Sequence, residues 1–261
     1  MMNIIGIIPA RMESSRFPGK PLKKILGIPM IGHVYLRCKI SDYLDDVYVA
    51  TCNNEIADYI ESIGGKAILT SPKHERASDR TAEALKIIET ETNKKIDIIV
   101  MLQGDEPMVM PSMIKSAVTP LVNNPKIPVS NLMSKIKTKA EWIDPNEVKV
   151  VFDSNNYALY FSREPIPSQQ KFNEKIIPYK QVCVIPFRRE WLIKYTELSP
   201  TPLEVIESVD MNRFLEHGQK VKLVEIDIET LAVDTPEDLI KVEEKMLEDK
   251  LINQYKDKHV E

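Results

Sequence analysis

Three short charged stretches of this 261-residue chain could do chemistry. The first, "IIPARMESSRFPGKPL" at 7–22, puts Arg11, Arg16 and Lys20 on a loop directly after a run of isoleucines. Arginine offers a planar fork to phosphate oxygens and lysine a compact charge, so such a loop can cradle a polyphosphate. Gly19 lets the backbone approach a ligand, and Pro18 and Pro21 stiffen the turn. The glycine–lysine spacing of a P-loop is missing, and a solvated basic loop held by ion pairs would have the same composition. The second stretch, "QGDEP" at 103–107, hangs an acidic pair at the end of an apolar run. Magnesium takes hard oxygen ligands, and one or two carboxylates plus substrate phosphates suffice for it. Asp105 leaves the run first and is the expected ligand, with Glu106 either behind it or a surface charge. The third stretch, "VDTPED" at 233–238, offers Asp234 as a plain helix cap or as a second metal carboxylate.

Other candidates are weaker. His74, in "SPKHERASDR", is a substrate contact or a structural side chain, and His33 and His217 have no nucleophile beside them in sequence. The motifs of a serine-hydrolase elbow and of a dinucleotide-binding turn are absent. Cys38, Cys52 and Cys183 are widely spaced with no C-x-x-C pair, which reads as reduced thiols rather than zinc ligands or disulfides.

The elements that must carry these stretches follow from hydrophobic patterning. β-Branched runs at 3–10, 45–51, 66–70 and 96–103 read as strands buried on both faces. Amphipathic segments at 30–40, 53–65, 78–92 and 110–124 read as helices, with Asn53 and Ser78 as expected caps and Gly64-Gly65 as a stop. Four strand–helix alternations predict a doubly wound α/β sheet of mostly parallel strands. Ligands of such sheets sit beyond the carboxyl ends of the strands, where both the opening loop and "QGDEP" fall. Beyond residue 128 the pattern changes. Segments 147–153 and 157–163 flank a polar "SNN" and predict a hairpin, 164–180 reads as irregular, and "QVCVIPF" as one strand. "REWLIKYTEL" and "TPLEVIESVDMNRFLEHG" read as one helix each, "QKVKLVEID" as a strand, and 233–249 as a loop capped by Asp234 or Thr235 into a last helix. Residues 1–261 are expected to form one domain, with about 128–190 as an insertion.

The formal net charge of −4 and the lack of a basic tract speak against nucleic acid and membrane surfaces as partners. No apolar run approaches the roughly 20 residues that span a bilayer, and the opening residues lack the basic flank of a signal peptide. A cytoplasmic protein is expected.

Together, "IIPARMESSRFPGKPL", "MIGHVYLR", "QGDEPM", "DPNEVKVVFDSNNYALYFSREPIP", "SPTPLEVIE" and "VDTPEDL" resemble, in order and over nearly the whole chain, the 3-deoxy-manno-octulosonate (Kdo) cytidylyltransferase family. The resemblance implies a Rossmann-like domain of the nucleotide-diphospho-sugar transferase type with a smaller β-containing insertion that supports a homodimer. It implies Mg²⁺-dependent transfer of CMP from CTP to an acidic sugar, as a step of lipopolysaccharide biosynthesis. By matching position, Ala10, Arg11, Arg16, Lys20, Ser78, Arg80 and Gln103 are expected at the nucleotide and Asp105 and Asp234 at the metal, with Lys20, Arg11 and Asp105 catalytic.

The acceptor half departs from the family pattern. "HERASDR" stands for H-x-S-G-T-D/E-R, so Arg76 and Ala77 replace small residues and Ser78 a threonine. Gln181 stands for a sugar-contacting histidine and Ile185 for an aromatic residue, and two glycines are gone, one of them to Pro186. Asp210 and Met211 replace a glutamate and a glutamine. Arg76, Gln181, Asp210 and Met211 are therefore expected at the acceptor, which is Kdo or a relative such as an amino-Kdo, another nonulosonic acid or a phosphonate. A glycosyltransferase of related fold and a non-catalytic nucleotide binder are the rival classes.

Overall fold

The structure is a computed structural model that describes residues 2–13, 17–168 and 176–256; Arg16 lies outside the described residues. The chain forms two compact units, Met1–Lys115 with Thr230–Glu261, and Ser116–Glu229. Along the chain come β1 (Ile4–Ala10), the short strands β2 (Lys24–Ile25) and β3 (Ile28–Pro29), α1 (Met30–Lys39), β4 (Asp46–Thr51), α2 (Asn54–Ser62), β5 (Ala67–Leu69), α3 (Ala77–Thr92) and β6 (Ile98–Leu102). Next are α4 (Pro111–Asn123), β7 (Val129–Lys135), α5 (Lys139–Ile143), β8 (Lys149–Phe152), β9 (Ala158–Ser162), β10 (Tyr179–Val182) and β11 (Val184–Arg188). The chain continues through α6 (Arg189–Glu197), α7 (Pro202–Glu207), α8 (Asp210–Glu216), β12 (Val221–Ile226) and α9 (Pro236–Met246).

The first unit carries parallel strands in the order β5-β4-β1-β6. Every residue of β6 is buried, which is why the run is apolar throughout rather than alternating. After β5 the chain returns to the far side of β1, so the winding reverses between β1 and β6. That reversal opens a crevice at the carboxyl ends of the two strands, the usual ligand position in such sheets. The expected α/β class is borne out.

In the second unit β7 runs antiparallel to β10 and β11 and parallel to β12, while β8 pairs antiparallel with both β10 and β9. The expected hairpin is β8–β9; its turn is set by Asp153 Oδ1, which accepts from the N–H groups of Asn155 (2.8 Å) and Tyr157 (2.9 Å). A bridge between Tyr157 and Lys222 brings the start of β9 back to β12. The segment 128–190 lies inside this larger unit.

Three local expectations are corrected. "QVCVIPF" is not one strand: the Val182 carbonyl, which a continuing ladder would pair with backbone, accepts instead from the Asn131 side-chain amide at 2.8 Å. "TPLEVIESVDMNRFLEHG" is not one helix: Ser208 adopts φ 52° and separates α7 from α8. The left-handed residue costs roughly 1–2 kcal/mol. The break accompanies bonds on either side of it. Glu207 accepts from the Tyr160 hydroxyl (2.6 Å) and the Arg163 N–H (2.7 Å), and the Asn212 amide bonds both backbone groups of Phe161. Ser78 is no cap: α3 starts one residue earlier with Arg76 at the cap position, and Ser78 is fully buried, its hydroxyl 3.9 Å from Met101 Sδ. Among the described residues no helix is long and apolar enough to cross a membrane.

Candidate active site

β1 ends at buried Ala10, and exposed Arg11 starts the loop. The Met12 N–H donates to Asn53 Oδ1 at 3.0 Å, so Asn53, at the head of α2, spends its side chain on the loop instead of capping its helix. Gly19, at φ 72°, closes the loop by donating its N–H to the Met12 carbonyl at 3.0 Å. Its left-handed backbone is the conformation for which glycine has no Cβ penalty. Lys20 then opens a short 3-10 turn, Lys20–Leu22.

The Lys20 ammonium donates to Asp105 Oδ2 at 2.8 Å, to the Val233 carbonyl at 2.8 Å and to Asp234 Oδ1 at 3.3 Å. All three side chains are mostly covered. Burial works against the charge on Lys20, but Asp105 and Asp234 outweigh it and raise its pKa above the usual lysine value. Asp105 follows Gly104, where a Cβ would lie 3.0 Å from Ile31 Cδ1 and 3.4 Å from the Pro9 carbonyl, so a side chain there would crowd β1 and α1. The Asp105 carbonyl accepts from the Val233 N–H at 2.9 Å, which ties the two acidic loops together.

Asp234 is held by the start of α9. Thr235 caps that helix in a reciprocal box: the Asp238 N–H donates to Thr235 Oγ1 at 3.2 Å, and the Thr235 N–H to Asp238 Oδ2 at 3.1 Å. The Asp234 N–H also donates to Asp238 Oδ2, at 3.3 Å. The cap is thus Thr235, and the Asp234 carboxylate faces Lys20. Burial opposes charge on Asp238, but bonds led by the Thr235 hydroxyl outweigh it and hold its carboxyl below the usual range.

The remaining candidates are placed as follows. Gln103 leaves β6 and accepts the Glu106 N–H on its carbonyl at 3.3 Å. Glu106 is buried and so is not a surface charge. Arg80 is buried, and its guanidinium donates to Thr70 Oγ1 (2.6 Å) and to the carbonyls of Ser71 (3.4 Å) and His74 (3.2 Å), bracing the loop before α3. The His74 Nε2 meets Glu83 Oε2 at 2.6 Å. Arg76 is half-buried at the cap of α3. In the second unit the Gln181 amide donates to Asn131 Oδ1 at 2.6 Å, Asp210 opens α8, and Met211 is fully buried. The structure therefore brings Lys20, Asp105 and Asp234 together. Sequence reasoning missed Asn53 and the Val233 carbonyl, for which no residue type gives a signal. It also missed the supporting role of Asp238, which the T-P-E-D pattern could have shown.

Among the described residues no group of three or more histidine, cysteine or acidic side chains could hold a metal by itself. What the site offers is two hard carboxylate donors beside a cation, at a sheet crevice. A family model described as cytidylyltransferase matches residues 5–225. The chain belongs to the cytidylyltransferase family. The 3-deoxy-manno-octulosonate cytidylyltransferase of Geobacter metallireducens is 41% identical over 94% of this chain and 98% of its own length. That of Geobacter sulfurreducens is 42% identical over 94% and 100%. The solved structure of a CMP:2-keto-3-deoxy-manno-octonic acid synthetase complexed with CTP superposes with a TM-score of 0.83 at 37% identity, covering 94% of this chain and 98% of that one. The family expected from the motifs is borne out, and with it a nucleotidyltransferase enzyme rather than a glycosyltransferase or a non-catalytic binder.

Proposed function

We propose that this cytidylyltransferase transfers CMP from CTP to 3-deoxy-manno-octulosonate and releases pyrophosphate. The observation that carries the reading is the Lys20–Asp105–Asp234 cluster at the switch point of the parallel sheet, in a chain 37% identical to a synthetase complexed with CTP. The anomeric hydroxyl oxygen of the sugar acid attacks the α-phosphorus of CTP in line. The new oxygen–phosphorus bond forms as the bond from the α-phosphorus to its bridging oxygen breaks. Pyrophosphate departs with that electron pair, and the hydroxyl proton passes to water; no side chain is assigned as general base.

Arg11, Arg16 and Lys20 hold the β- and γ-phosphates as they leave, and Ala10 and Gln103 line the nucleotide. Buried Arg80 acts through the loop it braces. Asp105 and Asp234 suit Mg²⁺, which takes hard oxygens and shares its remaining positions with phosphates and water. Held there, the ion would neutralise charge on the transferred phosphate. Chemistry of this kind depends on positioning and electrostatic stabilisation rather than on covalent catalysis. CTP is an intracellular nucleotide and Cys38, Cys52 and Cys183 form no disulfide, which supports a cytoplasmic enzyme. We also read the protein as a homodimer joined through the second unit, which leaves Leu159, Val205 and Ile206 exposed.

A second reading keeps the chemistry and alters the acceptor to an amino-Kdo, another nonulosonic acid or a phosphonate. It rests on Arg76 heading α3 and on Gln181 being tied to Asn131, both at positions where the chain departs from its family. Pyrophosphate release from CTP and Mg²⁺ with a panel of these acids tests both readings. The first expects Kdo to give the highest kcat/KM; a higher value for another acid favours the second. If no acid stimulates release while a sugar nucleotide is consumed, cytidylyl transfer is the wrong reaction.

A further inference from the structure

An ammonium group has three N–H bonds, and in Lys20 each has an oxygen: Asp105 Oδ2, the Val233 carbonyl and Asp234 Oδ1, at 2.8, 2.8 and 3.3 Å. The Lys20 side chain is only 14% exposed. The acidic pair suited to a divalent cation thus already surrounds a cation, one attached to the chain. We propose that Lys20 is a built-in counter-ion that keeps the metal site closed until a nucleoside triphosphate binds. The inference rests on the proposed cytidylyl transfer at the same site.

The physical case has three parts. With Lys20 in place the cluster carries one net negative charge instead of two, and an approaching divalent ion meets a like charge. To enter, that ion must also take two of the ammonium's three acceptors, the carboxylates of Asp105 and Asp234, in a site with little solvent to replace them; a poorly paired buried charge is strongly disfavoured. A triphosphate removes both obstacles at once, because its oxygens are strong acceptors for the ammonium and the carboxylates are released as the lysine turns to them. The four-carbon stem of lysine allows that swing, and Lys20 sits on a loop turn rather than in a ladder or long helix. The metal therefore joins the enzyme together with CTP, and the empty enzyme is guarded against loading by metal alone.

The test is binding of Mn²⁺ alone, followed by electron paramagnetic resonance of the free ion, with folding checked by circular dichroism. Lys20→Met should bind Mn²⁺ about tenfold or more tightly than wild type, since a neighbouring positive charge is gone. Adding Asp105→Asn to Lys20→Met should abolish the gain, locating it at the carboxylate pair. Lys20→Gln, which keeps a polar tip without charge, carries the same expectation if the methionine variant folds poorly. Equal or weaker Mn²⁺ binding by both neutral variants overturns the counter-ion. Pyrophosphate release by wild type is measured in parallel: its presence alongside unchanged Mn²⁺ binding sinks the counter-ion alone. Its absence with every acid, alongside tightened Mn²⁺ binding, sinks the assigned reaction and leaves the counter-ion standing.

Discussion

Two lysines, one in each unit, sit in nearly the same electrostatic setting but in different places in the fold. Lys20 lies between Asp105 and Asp234 at 2.8 and 3.3 Å; Lys180 lies between Glu141 and Glu147 at 2.7 and 3.1 Å. In both, burial opposes the charge and the carboxylates outweigh it, so both pKa values are raised. The difference is topological. Lys180 stands within β10, in register with Ser134 of β7 and Lys149 of β8. A strand paired on both sides cannot release its backbone, and the neighbouring Lys149, fully buried, is fixed by donating to the Asp144 carbonyl at 2.7 Å. Lys20 stands where ladders end and two loops leave adjacent parallel strands, and its partners are the carboxylates proposed above for a phosphate-bound cation. A lysine between two carboxylates is therefore not a sign of chemistry by itself; its place in the sheet decides.

That contrast can be broken experimentally. Asp105→Asn should lower turnover by about 10³-fold, the scale of losing one preorganised electrostatic partner, while the thermal midpoint stays close to wild type. Pyrophosphate release and a melting curve measure the two halves. Lys180→Met should do the reverse, costing about 3 kcal/mol in urea unfolding, as expected when one member of a covered ion cluster is removed, with turnover of the folded enzyme little changed. A folded Lys180→Met enzyme as inactive as Asp105→Asn would erase the distinction between the two clusters.

Asp238→Ala sharpens the Lys20 side, because Asp238 orders the backbone that presents Asp234. Loss of this box should cost about 1 kcal/mol at neutral pH. The Asp238 carboxyl is held below its ordinary 3.8, so its contribution is present above that value and is lost as pH falls through the lower folded value. Urea midpoints of wild type and variant should thus differ at neutral pH and converge in acid. A gap that persists in acid would assign the effect to packing instead of charge.

The parallel sheet of the first unit was legible because strands covered on both faces must be apolar throughout, as Ile98–Leu102 is. Lys20, Asp105 and Asp234 were each legible from residue type and from their position after a strand. Their meeting point was not, since it depends on which loops the winding brings together. What local pattern concealed were long-range bonds that override it. Asn131 takes over a ladder carbonyl and splits a strand, Glu207 and Asn212 flank the break in an otherwise continuous helical pattern, and Asn53 leaves its own helix to hold the Met12 N–H. Ser78 looked like a cap by type, but the first turn of α3 buries it.

The two carboxylates at Lys20 are separated along the chain by the whole of Ser116–Glu229. During synthesis the basic loop and Asp105 leave the ribosome first, and Asp234 emerges only after that entire unit has been made. Closing so long an excursion carries an entropy cost that grows slowly with its length, and early folding of the intervening unit shortens the stretch that must close. A nascent chain halted within it carries the Lys20 loop and one of the two carboxylates, so translation itself delays assembly of the cluster until both units have been written.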